Sequence, residues 1–168
     1  MTNGSLRIVI DARWIFPQIS GIGSYTRELI RHLAELEGPE TYVLLFASRE
    51  TAERVVPAAP AADLRAEVVP YSPFSWRSQL LLPRLLRRTG AQVYHAPNYM
   101  LPFRAFPRGR PGRLRCVVTL HDLIPLLFPE MTPRALKTRL HPVFRPVMLE
   151  TVRRSDPLIT PSEAPRSD

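Results

Sequence analysis

The order of hydrophobic and polar positions along the chain predicts strands that alternate with helices. Residues 6–10 form a largely apolar run that ends at Asp11 and is typical of a buried strand. Residues 24–37 instead repeat apolar positions every three or four residues, which predicts a helix with one apolar face. A Gly-Pro pair at 38–39 then ends this helix.

The same alternation continues to the end of the chain. Pro83 is expected to kink the predicted helix 75–88 or to open its main part, and Pro142 and Pro146 are expected to break the last helix. Strands are predicted at 41–47, 65–69, 92–95, 114–120 and 158–160, and helices at 50–56, 75–88 and 132–154.

Strands separated by helices favour an α/β fold, a Rossmann-like parallel sheet with helices on both faces. The strands are apolar throughout instead of alternating, which fits a sheet that is buried on both sides. No repeat or linker divides the chain, so residues 1–168 are predicted to form a single domain.

Composition narrows the class of protein. Of the 168 residues, 45% are hydrophobic, which is enough to form a core and disfavours disorder. No apolar run is long enough to span a bilayer, and the polar start of the chain does not predict a signal peptide. Cys116 is the single cysteine, which excludes an internal disulfide framework and any multi-cysteine metal site. These features favour a reducing cytoplasm.

The net charge of +8 favours anionic partners such as phosphates or an acidic membrane face. All basic residues except Lys137 are arginine, a skew that genome composition explains. No nucleic-acid-binding motif accompanies the charge, so no nucleic-acid partner is predicted. The arginine- and leucine-rich stretch 75–88 fits a peripheral contact with anionic lipid at the inner face of the membrane. An ordinary surface helix with leucines in the core is the alternative.

Ligands of open α/β sheets bind beyond the carboxyl ends of the strands, which draws attention to three segments. In the first, Gly21 and Gly23 precede the predicted helix and leave backbone N–H groups accessible to a phosphate. A simple turn is the alternative. A dinucleotide fingerprint fits poorly, because Thr26 stands where its third glycine belongs. Arg49 after the second strand keeps an NADP site open as a weaker hypothesis.

The other two segments carry histidines. His95 ends one predicted strand and is followed by Asn98 and Tyr99, which supply the donors and the aromatic face that sugar recognition needs. His121 and Asp122 end a central strand, where a histidine can donate a hydrogen bond or exchange a proton near neutral pH. In both cases a structural histidine is the alternative. No set of residues has metal-ligand spacing, so no metal is predicted.

Four motifs, in this order, resemble the N-terminal half of the retaining glycosyltransferases of family 4. They are IDARWIFPQISGIGSYTREL, VYHAPNYMLP, VVTLHDLIPLLFPE and LITPSEA, and the resemblance covers nearly the whole chain, about residues 6–165. The resemblance implies a GT-B architecture, in which two Rossmann-like domains face each other across a cleft. The N-terminal domain of that family mainly holds the acceptor.

The resemblance also implies roles for individual residues. His121 would contact the transferred sugar or order the reaction centre, and it is the predicted catalytic residue. Gly21 and Gly23 would approach the donor diphosphate or the acceptor, and Arg13 would reach a phosphate. The loop with His95, Asn98 and Tyr99 would lie on the acceptor side, and Asp122 completes the predicted substrate-binding set.

The chain departs from the family pattern at Ser24, where members often carry arginine, and at Pro161 and Pro165. The donor-binding C-terminal domain is expected to be missing or separate, which predicts no transferase activity for residues 1–168 alone. No cofactor is expected, and a nucleotide sugar would be the co-substrate of the complete enzyme. The acceptor would be a glycan or a lipid-linked glycan. A non-catalytic sugar- or phosphate-binding module and an NADP-binding domain remain the alternatives.

Overall fold

The computed structural model describes residues 5–18, 20–109, 112–121 and 141–161. Within these ranges the chain folds into one six-stranded sheet with helices packed against it. No helix in the described part of the chain has the length and apolar character needed to cross a bilayer.

The sheet is parallel throughout, which confirms the predicted α/β, Rossmann-like fold. Its strands lie in the order β3-β2-β1-β4-β5-β6, so the chain runs outward from β1 to one edge and then returns to build the other half. The strands are β1 (Arg7–Asp11), β2 (Thr41–Phe46), β3 (Asp63–Val68), β4 (Val93–Ala96), β5 (Arg115–Thr119) and β6 (Leu158–Ile159).

Helices cover both faces of the sheet, as the uninterrupted apolar strands predict. Neighbouring residues of β1 point to opposite sides, so Val9 belongs to one apolar core and Ile10 to the other. The first core packs under the third and fourth helices and the second core under the first two. The helices are α1 (Gly21–Ala34), α2 (Arg49–Val55), α3 (Trp76–Arg88) and α4 (His141–Arg154).

The first helix begins three residues earlier than predicted, so Gly21 and Gly23 lie inside its first turn and not before it. Ser20 caps the helix, because its Oγ accepts a hydrogen bond of 3.0 Å from the N–H of Gly23. A Cβ on Gly23 would lie 3.3 Å from the carbonyl oxygen of Trp14. Glycine is therefore used here for close packing against the preceding backbone, a tertiary reason that local helix propensity does not reveal.

Prolines interrupt the helices less than predicted. Helix α3 is continuous across Pro83, and α4 is continuous across Pro146 within the described range. Pro146 is exposed, while Met148 and Thr151 on the same helix are buried against the sheet, so packing holds α4 together despite the missing N–H. The predicted helical residues 132–140 lie outside the described residues. Helix α1 also ends three residues earlier than predicted, at Ala34, and the remaining predicted boundaries agree with the structure to within about two residues.

Candidate functional site

The candidate site lies at the carboxyl edge of the sheet, where β1 and β4 are neighbours. Strand order reverses between them, since β2 and β3 extend to one side and β5 and β6 to the other. Such a reversal separates the loops that follow the two strands and opens a crevice above the sheet. The loops after β1, β4 and β5 carry most of the residues singled out from the sequence.

Four side chains from three elements meet at this edge; we call Tyr25, His95, Thr119 and His121 the histidine cluster. The Thr119 hydroxyl is the link, because it lies 2.8 Å from Nε2 of His95 and 3.1 Å from the Tyr25 hydroxyl. The Tyr25 ring meets the His121 ring edge to face, with centroids 4.9 Å apart. The structure therefore brings the two sequence-predicted histidines into one group.

A backbone carbonyl fixes the tautomer of His121. Its Nε2 lies 3.0 Å from the carbonyl oxygen of Pro97, which can only accept a hydrogen bond. Nε2 must therefore carry a proton, which leaves Nδ1 of the neutral ring as the atom that can accept from a ligand hydroxyl. The ring is half-buried, so part of it is open to solvent. Asp122, predicted as its neighbour in the site, lies outside the described residues.

His95 is more deeply buried than His121, with 7% of its surface exposed. Burial lowers the pKa of His95 to about 4, because the charged ring would lose its hydration. The ring is therefore neutral at physiological pH and interacts with Thr119 as a hydrogen-bonding group. It positions the cluster and does not exchange protons near neutrality.

Beside the histidine cluster lies a group of rings; we call Trp14, Phe16, Phe74 and Tyr99 the aromatic cluster. Trp14 is central, with ring centroids 5.3 Å from Phe74, 6.2 Å from Phe16 and 6.3 Å from Tyr99. Its indole Nε1 is buried and has no hydrogen-bond partner within the described structure. Phe16 and Phe74 are exposed, so the cluster presents an apolar surface beside polar groups.

Asn98 shapes the loop between the two clusters. Its side chain is buried, and its Oδ1 accepts a hydrogen bond of 2.8 Å from the N–H of Tyr99. This local bond holds the loop in a turn. Tyr99 is half-buried, and its carbonyl accepts a hydrogen bond from Thr151 of α4. The loop predicted for the acceptor side is thus fixed at both of these residues.

Arg13, which the sequence suggests for contact with a phosphate, has its guanidinium bound by buried protein groups in this structure. It is buried, and its Nε and Nη2 donate to the carboxylate of Asp11 at 2.7 and 2.6 Å. Its Nη1 donates to the carbonyl of Tyr71, which precedes α3, and to the hydroxyl of Ser78, which lies in α3. Burial by itself lowers the pKa of Arg13, but the hydrogen bond and charge of Asp11 outweigh burial and raise it. The guanidinium is a structural link beneath the site.

Tyr94 completes this buried network from the neighbouring strand. Its hydroxyl donates to the Asp11 carboxylate at 2.7 Å, so one carboxylate joins β1 to β4 and, through Arg13, to α3. Burial raises the pKa of Tyr94 well above its usual value, and the charge of Asp11 adds to the effect. The floor of the crevice is therefore held by a fully buried ion pair with its hydrogen bonds satisfied.

The start of α1 is the remaining part of the site. Gly21 is exposed, and a Cβ there would meet nothing within 4 Å, so the first turn of α1 is open on that side. A cavity of about 200 Å³ lies nearby between the loop after β1 and α2. Arg27 and Arg54 line it, and they place positive charge close to the positive end of the α1 dipole.

The dinucleotide alternative meets an obstacle at β1. In a dinucleotide site the pyrophosphate occupies a tight glycine turn directly after this strand. Here a buried 3-10 turn, Ala12–Trp14, follows β1 and fills that position with the side chains of Arg13 and Trp14. In the described part of the chain, no group of three histidine, cysteine or acidic side chains is placed to hold a metal ion.

Sequence reasoning missed Tyr25 and Thr119. Tyr25 lies one helical turn after Gly21, and Thr119 is the last residue of β5. A polar residue that ends an apolar strand two positions before His121 is a signal that could have identified Thr119. Tyr25 had no comparable signal, because its role depends on how α1 packs beside β5.

The fold and the site together define a doubly wound α/β domain with a polar site at its topological switch point. The family model of glycosyltransferase family 4 matches residues 19–168, and the chain belongs to this family. Membership supports a glycosyltransferase-type function. Comparisons with curated proteins and with solved structures found no match.

Proposed function

We propose that this domain is the acceptor side of a retaining glycosyltransferase with a GT-B architecture. The complete enzyme would move a sugar, for instance mannose, from a nucleotide sugar to a glycan or to a lipid-linked acceptor. The observation that carries the proposal is the histidine cluster at the switch point of a chain that belongs to glycosyltransferase family 4.

His121 is the residue that contacts sugar in this proposal. Its Nε2–H is held by the carbonyl of Pro97, so Nδ1 is the ring atom that can accept a hydrogen bond from a sugar hydroxyl. Tyr25 is a positioning residue, because its ring packs against the imidazole and its hydroxyl is held by Thr119. Such support keeps the imidazole oriented before the substrate arrives, which is how a preorganised site lowers the cost of binding.

The aromatic cluster supplies the second part of the acceptor site. Sugars present flat C–H faces as well as hydroxyls, and exposed rings with polar neighbours suit both. Phe16 and Phe74 are exposed on either side of Trp14, next to the Asn98–Tyr99 turn. The open start of α1, with Arg27 and Arg54 nearby, is where we place a phosphate of the donor or acceptor.

Transfer requires that the leaving diphosphate be stabilised as charge develops on it. We propose that a donor-binding domain, which the family pattern places across the cleft, contributes the groups for this step. Acceptor binding is then a property of residues 1–168, whereas turnover depends on the partner domain. Robust turnover of a nucleotide sugar by purified residues 1–168 would contradict this division.

The test uses Trp14 as a reporter. Trp76→Phe leaves Trp14 as the single tryptophan, and its fluorescence is followed during titration with an octyl mannoside, a mannose disaccharide, GDP-mannose and UDP-glucose. We expect saturable responses to sugar ligands and about a 10-fold or greater loss of affinity in His121→Ala. The matched control is His32→Ala, on the exposed side of α1, which should bind as the parent does.

A second variant separates positioning from contact. Tyr25→Phe keeps the ring over His121 but loses the bond to Thr119, and it should weaken binding less than His121→Ala while leaving the fold intact by circular dichroism. Unchanged affinity in His121→Ala, or no response to any sugar ligand, would overturn the proposal. A response to NADPH but not to sugars would instead support the dinucleotide alternative.

A further inference from the structure

One side of α3 exposes large apolar residues to solvent. Trp76 is 67% exposed, and Leu80 and Leu81 are also exposed, whereas Leu82 and Leu86 on the opposite side are buried in the core. With 3.6 residues per turn, the three exposed residues fall within one half of the helix circumference. Packing in the core accounts for the buried leucines of α3 but not for its exposed apolar residues.

The same side of α3 is strongly basic. Arg77, Arg84, Arg87 and Arg88 are exposed, and residues 76–88 contain no acidic residue. The Arg77 guanidinium lies over the Trp76 ring, 5.7 Å from its centroid, so charge and aromatic surface occupy the same area. Glu67 of β3 lines the adjacent groove beside Arg84 and Arg88, and it offsets one of the four charges. We call these four arginines with Trp76, Leu80 and Leu81 the basic face.

The basic face continues into the candidate site. Helix α3 follows β3, so its first residues lie near the carboxyl edge of the sheet. Phe74, two residues before the helix, is 54% exposed and packs against Trp14 of the aromatic cluster. Exposed rings therefore lead from Trp76 to Phe74 and on to Phe16 beside the predicted acceptor site.

We propose that the basic face docks on an anionic lipid bilayer, with α3 lying parallel to the membrane surface. The arginines would contact lipid phosphates, while Trp76 and the leucines enter the boundary between headgroups and acyl chains. A helix of 13 residues presents a contact about 20 Å long. Docking places the aromatic cluster at the bilayer surface, where a lipid-linked acceptor would reach it.

Charge argues against a second copy of this chain as the occupant. A symmetric pair of basic faces would bring two sets of four arginines together, which is repulsive unless anions lie between them. A bilayer with anionic lipids supplies many negative charges in one plane and an apolar layer beneath them. The choice of a lipid-linked acceptor rests on the proposed function, but docking itself does not.

The experiment measures binding of the 168-residue protein to vesicles. Sedimentation is measured with phosphatidylcholine vesicles that contain about 30% phosphatidylglycerol, which gives a strongly anionic surface. The same measurement with pure phosphatidylcholine vesicles is the comparison. We expect binding to the anionic vesicles, weakened by salt, and little binding to the neutral ones. In Trp14→Phe, where Trp76 is the single tryptophan, vesicle binding should shift the emission to shorter wavelength.

Charge-matched variants locate the contact. Arg84→Gln with Arg88→Gln should lower vesicle affinity by about 25-fold, since each arginine near an anionic surface contributes about fivefold. The control removes one arginine from α1 and one from α2, which pack on the opposite face of the sheet, as Arg31→Gln with Arg49→Gln. That variant has the same net charge and should bind nearly as the parent does. Trp76→Ser should also weaken binding.

Several results would overturn docking at this face. One is equal loss of affinity in the control variant, which would mean that net charge alone attracts the protein. Another is full competition by soluble glycerol phosphate at millimolar concentration, which would point to an anion site and not to a lipid surface. Concentration-dependent dimerisation that Trp76→Ser abolishes would assign the face to a second copy. Vesicle binding does not require sugar, so its failure is separable from failure of the disaccharide titration.

Discussion

Replacing Asp11 by asparagine should destabilise the protein far more than its small change in shape suggests. The Asp11 carboxylate is fully buried and accepts hydrogen bonds from Arg13 and Tyr94, at 2.6–2.7 Å. Asn has nearly the same volume, but it leaves the Arg13 charge buried without a counter-charge and turns an NH₂ donor toward other donors. Breaking a buried pair on one side costs about 3–5 kcal/mol.

Urea unfolding followed by circular dichroism measures this effect. For a slope of about 2 kcal/mol per M, Asp11→Asn should lower the unfolding midpoint by about 2 M, and the melting temperature should fall by about 6–20 °C. The chain offers a close control in Asp63→Asn. Asp63 is also paired with an arginine two residues later in the chain, but that pair is exposed and screened by solvent, so its loss should cost far less than the loss of Asp11.

A double-mutant cycle tests the reasoning itself. Arg13→Met removes the buried charge, so it should restore about 2–3 kcal/mol of the loss when it is combined with Asp11→Asn. Stability losses that simply add in the double variant would show that the two side chains act independently. A loss in Asp11→Asn no larger than in Asp63→Asn would refute the assignment of a buried, mutually dependent pair.

Three further predictions follow from burial and close packing. Gly21→Ala should stabilise the protein by up to about 1 kcal/mol, because the added Cβ meets open space. Gly23→Ala should be less stable than Gly21→Ala by about 1–3 kcal/mol in urea unfolding, because its added Cβ meets the backbone of Trp14. The free energy of unfolding should fall by about 3 kcal/mol as the pH drops from about 6.5 to about 4, because His95 takes up a proton in the unfolded chain but not in the folded one. His95→Asn should flatten this dependence of stability on pH, whereas His32→Asn should leave it unchanged. Cys116, whose pKa burial raises to about 12, should react with a thiol reagent at pH 8 only after unfolding by guanidinium.

Each of these predictions has an opposing outcome. Equal stability of the two alanine variants would mean that the first turn of α1 does not pack against the β1 exit as described. A pH slope that persists in His95→Asn would assign the acid loss to the carboxylates, whose stabilising effect also disappears at low pH. Rapid labelling of Cys116 in the folded protein would show that β5 opens easily.

The sheet could be predicted because its strands are uniform apolar runs between helical patterns. The two glycines of α1 show where such prediction fails. Their low helix propensity favours a loop up to Ser24, but close packing of Gly23 on the β1 exit and the Ser20 cap make them helical. Propensity is a local property, and here a tertiary contact overrides it.

The candidate site was predictable where position on a strand decides the role. His95 lies near the end of β4 and His121 follows β5, and these two strands are parallel neighbours, so the sequence predicted both histidines at the same edge. Arg13 could not be assigned in this way, since an arginine near a glycine segment fits a phosphate site as well as a buried ion pair. Tyr94, which donates to the same Asp11 carboxylate, lies 83 residues from Asp11 in the chain, and no local pattern indicates that contact.

The long separation between contacting residues also determines when the site can form. Asp11 must meet Tyr94 across 83 residues, and Tyr25 must meet Thr119 across 94. During synthesis, β1 therefore remains without its inner neighbour until more than half of the chain has emerged. Closure of such long loops is entropically costly, so local helices precede it. We therefore expect the crevice to be among the last parts of the described domain to assemble.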